Sequence, residues 1–318
     1  MSRLDVVGIG QVCVDYLGKV RYFPDVEGKV EFEDVTIRGG GPTATALLVL
    51  ARLGLKVAII GKVGDDDLGR ILIQDLKNEG IDTSGLIKEK SKKTQLSIIP
   101  IEKKSGRRTV FWSKGTITPL KPKDLKKELI AQTRAIHFDE LFMEANVEAA
   151  NIAKKLGITV SMDAGNYIDG INELKGKVDL FIASQDFMRE YTGENNPTKG
   201  IKKLKEFKAK VTTVTLGSKG SLTIYNDELI KTPAYKVDAV DTTGAGDVFH
   251  GALLYGWLKN WEIKKALDFA SATAAINCTY LGAQGGIPKN TKDVFDFMRM
   301  CKKPEVGARC NVSLLSSK

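Results

Sequence analysis

Six short apolar runs, DVVGIG, KVAIIG, RAIHF, ITVSMD, DLFIAS and VTTVTLG, recur along this 318-residue chain with amphipathic stretches between them. Each run is too short for a helix and reads as a strand. The stretches TATALLVLARLG (43–54), DLGRILIQDLKNEG (67–80), EANVEAANIAKKLG (144–157) and the pair 246–258 and 263–277 carry the helical period, several of them closing on glycine. Apolar strands that alternate with helices need cover on both faces. The expected architecture is therefore α/β, a parallel, doubly wound sheet with helices above and below.

Two regions break the rhythm. Residues 16–38 and 94–113 alternate apolar and polar side chains, as in VRYF, KVEFEDVTIR, TQLSIIPIE and RRTVFW, the pattern of strands with one wet face. They predict a small antiparallel sheet over one edge of the main domain, serving as a lid or as the contact of a homodimer. Residues 1–301 read as one domain carrying this lid. Residues 302–318, polar and irregular, read as a tail.

Lysine and arginine outnumber the acids 48 to 39, a net charge of +9. The lysines are scattered and nowhere interleaved with aromatics, so a solvated surface is expected rather than a nucleic-acid groove. Cys13, Cys278, Cys301 and Cys310 have neither CxxC spacing nor neighbouring histidines, which implies neither a zinc site nor a disulfide framework and fits a reducing cytoplasm. The N-terminus opens on an apolar run without a basic leader, and no span of about 18 apolar residues occurs, so neither secretion nor a membrane partner is expected.

The densest chemical signal is DTTGAGDVFHGALLYGWL, residues 241–258. A strand-like KVDAV meets a glycine-rich turn and then an apolar helix. Backbone N–H groups around Gly244, Ala245 and Gly246 thus sit at a helix N-terminus, where anions bind. Asp247 stands at the same point. An acid there could be a simple dipole-complementing residue, worth about 0.3–1 kcal/mol, but that does not account for the small residues packed before it. A phosphate cradle beside a carboxylate is what phosphoryl transfer to an alcohol requires.

DTTGAGD, followed by phenylalanine and a small-residue helix, closely resembles the C-terminal signature of the ribokinase-like (PfkB) carbohydrate kinases, and the resemblance extends over nearly the whole chain. GIGQVCVDYLG resembles the family's first strand, where the aspartate matching Asp15 binds substrate hydroxyls. RGGGPTATALLVLARLG resembles its first signature, in which Gly40 and Gly41 would let substrate approach the backbone. VTLGSKGSL is similar to the segment bordering the nucleotide. The resemblance implies ATP as donor with Mg2+, held along Thr215, Gly217, Gly220, Ser271 and Asn277. It also implies a monovalent cation such as K+ near Asp241, Thr243, Asn277, Tyr280 and Gly282. Arg108 resembles a lid-strand arginine that reaches substrate or phosphate.

Several positions depart from the family. Thr45 stands where many members have asparagine, keeping a hydroxyl but losing the amide. The NxxE segment appears as Ser184, Gln185, Asp186 and Phe187, without its glutamate. Asp163 is kept in SMDAGNY without the arginine that often follows in sugar-acid kinases. The nearest branch is that of sulfofructose kinases and ketohexokinases, where Lys29 matches a lysine for an anionic substrate end. Trp112 and Leu141 replace the rest of that sulfonate set, which favours a neutral ketose, pentose or other polyol, while Lys29 leaves a phosphorylated or acidic sugar open.

The resulting expectation is a Rossmann-like, ribokinase-like three-layer domain with a β lid. The sugar lies between Asp15, Gly40, Gly41 and Asp247, with Asp247 as general base. A nucleoside kinase of the same fold and a non-catalytic sugar- or nucleotide-sensing protein are the alternatives. A dehydrogenase is disfavoured because Cys13 replaces the third glycine of GxGxxG, leaving Gly8 and Gly10 as a tight turn after the first strand. No GxxxxGK[ST] or GxSxG occurs, and His137 and His250 alone give histidine-based hydrolysis little material.

Overall fold

The computed structural model describes residues 4–301, so the tail from 302 to 318 lies outside the described residues. Thirteen strands follow in chain order: β1 Val6–Ile9, β2 Cys13–Val20, β3 Glu33–Gly40, β4 Val57–Gly64, β5 Asp82–Glu89, β6 Leu96–Glu102, β7 Phe111–Ser113, β8 Ala135–Phe138, β9 Thr159–Ala164, β10 Leu180–Ser184, β11 Val211–Thr215, β12 Ser221–Tyr225 and β13 Glu228–Thr232. The α-helices are α1 Pro42–Arg52, α2 Asp67–Asn78, α3 Lys127–Ala131, α4 Met143–Leu156, α5 Gln185–Thr192, α6 Pro197–Leu204, α7 Ala245–Leu258, α8 Ile263–Cys278 and α9 Thr291–Cys301.

Nine strands form one sheet in the order β13-β12-β11-β10-β9-β8-β1-β4-β5. From β11 to β5 all neighbours run parallel, and β12 alone is reversed, antiparallel to both β11 and β13. One face is packed by α1, α7, α8 and α9 through residues such as Leu47, Leu50, Leu254, Phe269 and Phe297. The other is packed by α4 to α6 through Ala149, Phe187 and Leu204, with Phe207 just beyond α6, against Phe138 and Phe181 of the sheet. The layered architecture expected from the alternating runs is the one observed. The chain leaves β1 for β4 on one side and returns to β8 on the other, so the strand order reverses there. A crevice opens at such a switch point, beyond the carboxyl ends of β1 and β8.

The second sheet has the order β3-β2-β6-β7 and grows out of this crevice, since β2 begins four residues after β1 ends. Two expectations need correcting. The central pair, β2 with β6, is parallel, not antiparallel, because β6 is reached by a crossover through α1, β4, α2 and β5 and enters the lid from the same end as β2. The strands are also displaced within the 16–38 and 94–113 stretches. Residues 21–32, where Pro24 and Gly28 interrupt the alternation, hold no strand.

No helix among the described residues is long and apolar enough to cross a membrane. Cys13 and Cys278 are free.

Candidate active site

At the end of β1 the chain passes so close to its neighbours that a side chain on Gly10 would meet Thr43 Oγ1 at 2.0 Å and Asp139 Oδ2 at 2.2 Å. Gly8 and Gly10 therefore serve close packing under α1 rather than the tight turn expected of them, and neither has a positive φ. The carboxylate that occupies this space, Asp139, accepts from Gln11 N at 2.8 Å, Thr43 Oγ1 at 2.7 Å and Leu141 N at 3.1 Å. Burial still pushes its carboxyl up to about 6. Glu140 beside it accepts from Asn166 N and Nδ2 at 3.0 and 2.8 Å, and burial, with Asp163 and Asp139 adding to it, raises it to about 7.

Asp15 reaches the crevice from β2. It is buried, and burial raises its carboxyl above the ordinary aspartate range. The approach depends on Gly40 across the strand pair, where a Cβ would stand 2.2 Å from Asp15 Oδ2. Gly41 follows with φ 101° as the N-cap of α1. Thr45, one turn into that helix, is fully buried and accepts from Gln284 Nε2 at 3.1 Å.

Gly244 caps α7 in the left-handed conformation, φ 72°, with Ala283 so close that a Cβ would lie 2.7 Å away. The first helical bond is Val248 N to Gly244 O. The amides of Gly246 and Asp247 come before it and lack intrahelical acceptors, so they are free to meet an anion. Space in front of Gly246 is open, with no heavy atom within 4 Å of a built Cβ. Asp247, partly buried, sits at this same turn. Burial is the largest cause raising its carboxyl to about 7, Asp163 pushes the same way and His250 opposes them. A base poised near neutrality suits proton abstraction from an alcohol.

The turn is fixed from two sides. Asp241 is buried; its Oδ1 accepts from Thr243 N and Oγ1 at 2.9 and 2.6 Å and its Oδ2 from Gly282 N at 2.9 Å. Asn277 Nδ2 donates to the carbonyls of Ala283 at 3.0 Å and Thr243 at 3.5 Å, while its Oδ1 accepts from Gly286 N. From the lid, Arg108 Nη1 donates to Thr242 Oγ1 at 2.8 Å.

A cavity of about 740 Å³ opens beside the free amides, with Thr215, Gly217, Gly220, Gly246 and Ser271 among its walls. That is the size of a nucleotide pocket. Apolar Phe249 and Ala275 could take a base, while Thr242 and Gly246 bring it to the anion-binding turn. Asn277 does not line it, being committed to the loop bonds above. A second cavity of about 750 Å³ lies between α1, α2 and the 284–289 loop, bordered by Arg38, Arg52, Glu79 and Lys289 and away from Asp247.

The structure thus gathers Asp15, Gly40, Gly41, Thr45 and the 244–247 turn around one crevice, with Thr215, Gly217, Gly220 and Ser271 on the adjoining cavity. Lys29 stands apart, exposed in the connection from β2 to β3 and paired with no described residue. Sequence reasoning missed Thr43, Asp139, Glu140 and the contact of His250 with Asp163. An available signal was the DE pair placed directly after the apolar strand AIHF.

A family model described as pfkB family carbohydrate kinase matches residues 3–290. Over 311 residues the chain is 29% identical to fructokinase-2 of Zea mays, a match spanning 89% of this chain and 91% of the relative. Ribokinase from Thermotoga maritima superposes with a TM-score of 0.81 at 27% identity, covering 93% of this chain and 99% of that one. Arabidopsis thaliana ribokinase, solved with ribose and ATP, shares the fold with a TM-score of 0.78 at 20% identity over 94% and 99% of the two chains.

Proposed function

The chain belongs to the pfkB family of carbohydrate kinases, and from that footing we propose that it transfers the γ-phosphoryl group of ATP to a primary hydroxyl of a small neutral sugar, a ketose or a pentose, with Asp247 as general base. The observation that carries this reading is the meeting of three features at one turn: free first-turn amides, a carboxyl held near neutrality, and a nucleotide-sized cavity alongside. ATP enters as its magnesium complex, its polyphosphate along Gly217, Gly220 and the 244–246 turn. Asp247 takes the hydroxyl proton, the sugar oxygen bonds to the γ-phosphorus, and the bond to the β-phosphate oxygen breaks to release ADP. The amides of Gly246 and Asp247 stabilise the charge that spreads over the transferring group.

The acceptor side favours an uncharged polyol. Asp15 and the other crevice carboxylates accept hydrogen bonds from hydroxyls and repel a second anion, and Lys29 is exposed on its loop. A coupled assay of ADP release with fructose, ribose and adenosine tests the reading. Turnover of either sugar supports it, preference for adenosine replaces it with a nucleoside kinase, and silence across the panel leaves a binding protein.

Two further features belong to the same reading. The buried Asp241 carboxylate beside the Thr243 and Ala283 carbonyls supports a K+ site, for which turnover should rise when KCl replaces a tetraalkylammonium salt. On the lid's outer face Ile37, Tyr16, Ile98 and Phe111 stand side by side in register, and three of them are 41%, 44% and 60% exposed. An apolar row of that kind supports a homodimer joined through the lid.

A further inference from the structure

One helical turn beyond Asp247, α7 carries His250, 3% exposed, in the layer where the helix packs on β9 and β10. A histidine among Val248, Phe249, Leu253 and Leu254 has no packing reason to be there, since a leucine would fill the space without a polar ring to satisfy. Its Nδ1 lies 3.1 Å from Asp163 Oδ2, and both side chains are nearly inaccessible, 4% and 7%. One carboxylate oxygen of Asp163, one of Asp247 and a ring nitrogen of His250 all lie within 4.8 Å of one another.

Two carboxylates that close, in a buried site, do not both ionise unless a positive charge sits with them. Other groups facing the spot add to the problem. Asp139 and Glu140 follow β8 and Asp15 comes from β2, all of them acidic, while burial keeps the Cys13 thiol neutral. His137 on β8 has its ring centroid 6.2 Å from that of His250 but contacts Ser161 Oγ at 3.1 Å, not a carboxylate. Burial there drives His137 down to about 3, leaving it neutral. Burial acts on His250 in the same sense, yet Asp163 and then Asp247 outweigh it and hold the imidazole above its ordinary value.

We propose that His250 is a positioning residue for phosphoryl transfer: paired with Asp163 as imidazolium, it is the counter-charge that lets Asp247 ionise in the acid-lined crevice and turn its carboxylate to the acceptor hydroxyl. This rests on the reading of Asp247 as the base. His250 touches neither sugar nor nucleotide and works through the carboxylate one turn before it.

The test is the pH dependence of kcat/KM for the best sugar in the panel above, with three variants. In His250→Asn the acidic limb moves to higher pH by about one unit or more, the size of an opposite charge lost at 4–6 Å, while turnover at the alkaline plateau stays within a few-fold of wild type and the KM for ATP is unchanged. Asp163→Asn removes a negative charge beside Asp247 but also the chief support of the imidazolium, so its limb moves less than that of His250→Asn. A merely structural contact would lower both variants' rates and leave both limbs in place. Asp247→Asn separates the two claims: if it retains turnover, the base assignment itself is wrong. If it is inactive and the His250→Asn limb stays in place, only the counter-charge role is lost.

Wild-type protein supplies a measurement free of folding effects. The chain holds only two histidines, so NMR of ring-labelled protein resolves both, the His250→Asn spectrum assigning them. One imidazole should titrate above 6.5 and the other near 3. Two neutral rings at pH 6 would overturn the proposal.

Discussion

Replacing Asp247 with asparagine should make the protein more stable as it makes it less active, and the pH dependence of the gain identifies its cause. In the folded chain the carboxyl rises from the usual 3.8 to about 7. The folded state therefore holds this proton more tightly than the unfolded chain does, and wild type loses that stability as pH climbs from about 4 to about 7. Fully expressed above that window, the difference amounts to roughly 4 kcal/mol. Asp163 and Glu140 share the same crowding and will relax when one neighbour is removed, so about 1–3 kcal/mol is the gain to expect at pH 8. At roughly 2 °C per kcal/mol for a chain of this size, the melting temperature should rise by about 2–6 °C at pH 8 and hardly at all near pH 4. Turnover should fall by about a hundred- to ten-thousand-fold, the usual contribution of a general base, with binding of an ATP analogue retained. Thermal melts of both proteins across pH, beside steady-state kinetics, check the pair. A melting gain independent of pH, or a loss at pH 8, would refute the claim that Asp247 is held in an unfavourable charged state.

Gly40→Ala places a methyl group where the Asp15 carboxylate lies, at 2.2 Å; kcat/KM for the sugar should drop by about a hundred-fold, the cost of displacing a contact by an ångström, with affinity for an ATP analogue intact by calorimetry. Gly244→Ala combines a left-handed φ of 72° with a contact at 2.7 Å, which should cost about 1–3 kcal/mol in urea unfolding. Arg108→Ala removes the lid's bond to Thr242; because the arginine is exposed, a few-fold rise in KM is expected in steady-state assays, and a hundred-fold rise would mean that it grips the phosphoryl group directly. Ile98→Glu with Phe111→Glu should turn a lid-joined dimer into a monomer by sedimentation, leaving the melting temperature within a few degrees of wild type.

The main sheet and its helices were legible because burial on both faces forces continuous apolar runs, and because the period of α1, α2 and α4 marks which side meets the sheet. The turn at 244–247 was legible because glycine, alanine and glycine before an acid have few other uses. Pairing in the lid was not. Alternation reveals that a strand has one wet face, but whether β6 lies parallel to β2 is decided by the path through α1, β4, α2 and β5. Asp139 and Glu140 escaped notice for a different reason. An acid after a strand reads as solvated unless the partners that bury it, Gln11 and Thr43, are known to be near, and they are 128 and 96 residues away in sequence. His250 reads as one polar residue on an apolar helix until Asp163 is found against it. Asn277 reads as a pocket residue, while its amide is spent on bonds to 243, 283 and 286.

Asp15 is the third residue of β2, and β2 is at once the strand that leaves β1 and the middle of the small sheet. The carboxylate proposed to grip the acceptor is thus carried by the small sheet itself. Any swing of that sheet away from Thr242 withdraws Asp15 together with Arg108. On the proposed reading, the sugar seat is therefore complete only while the small sheet is in place.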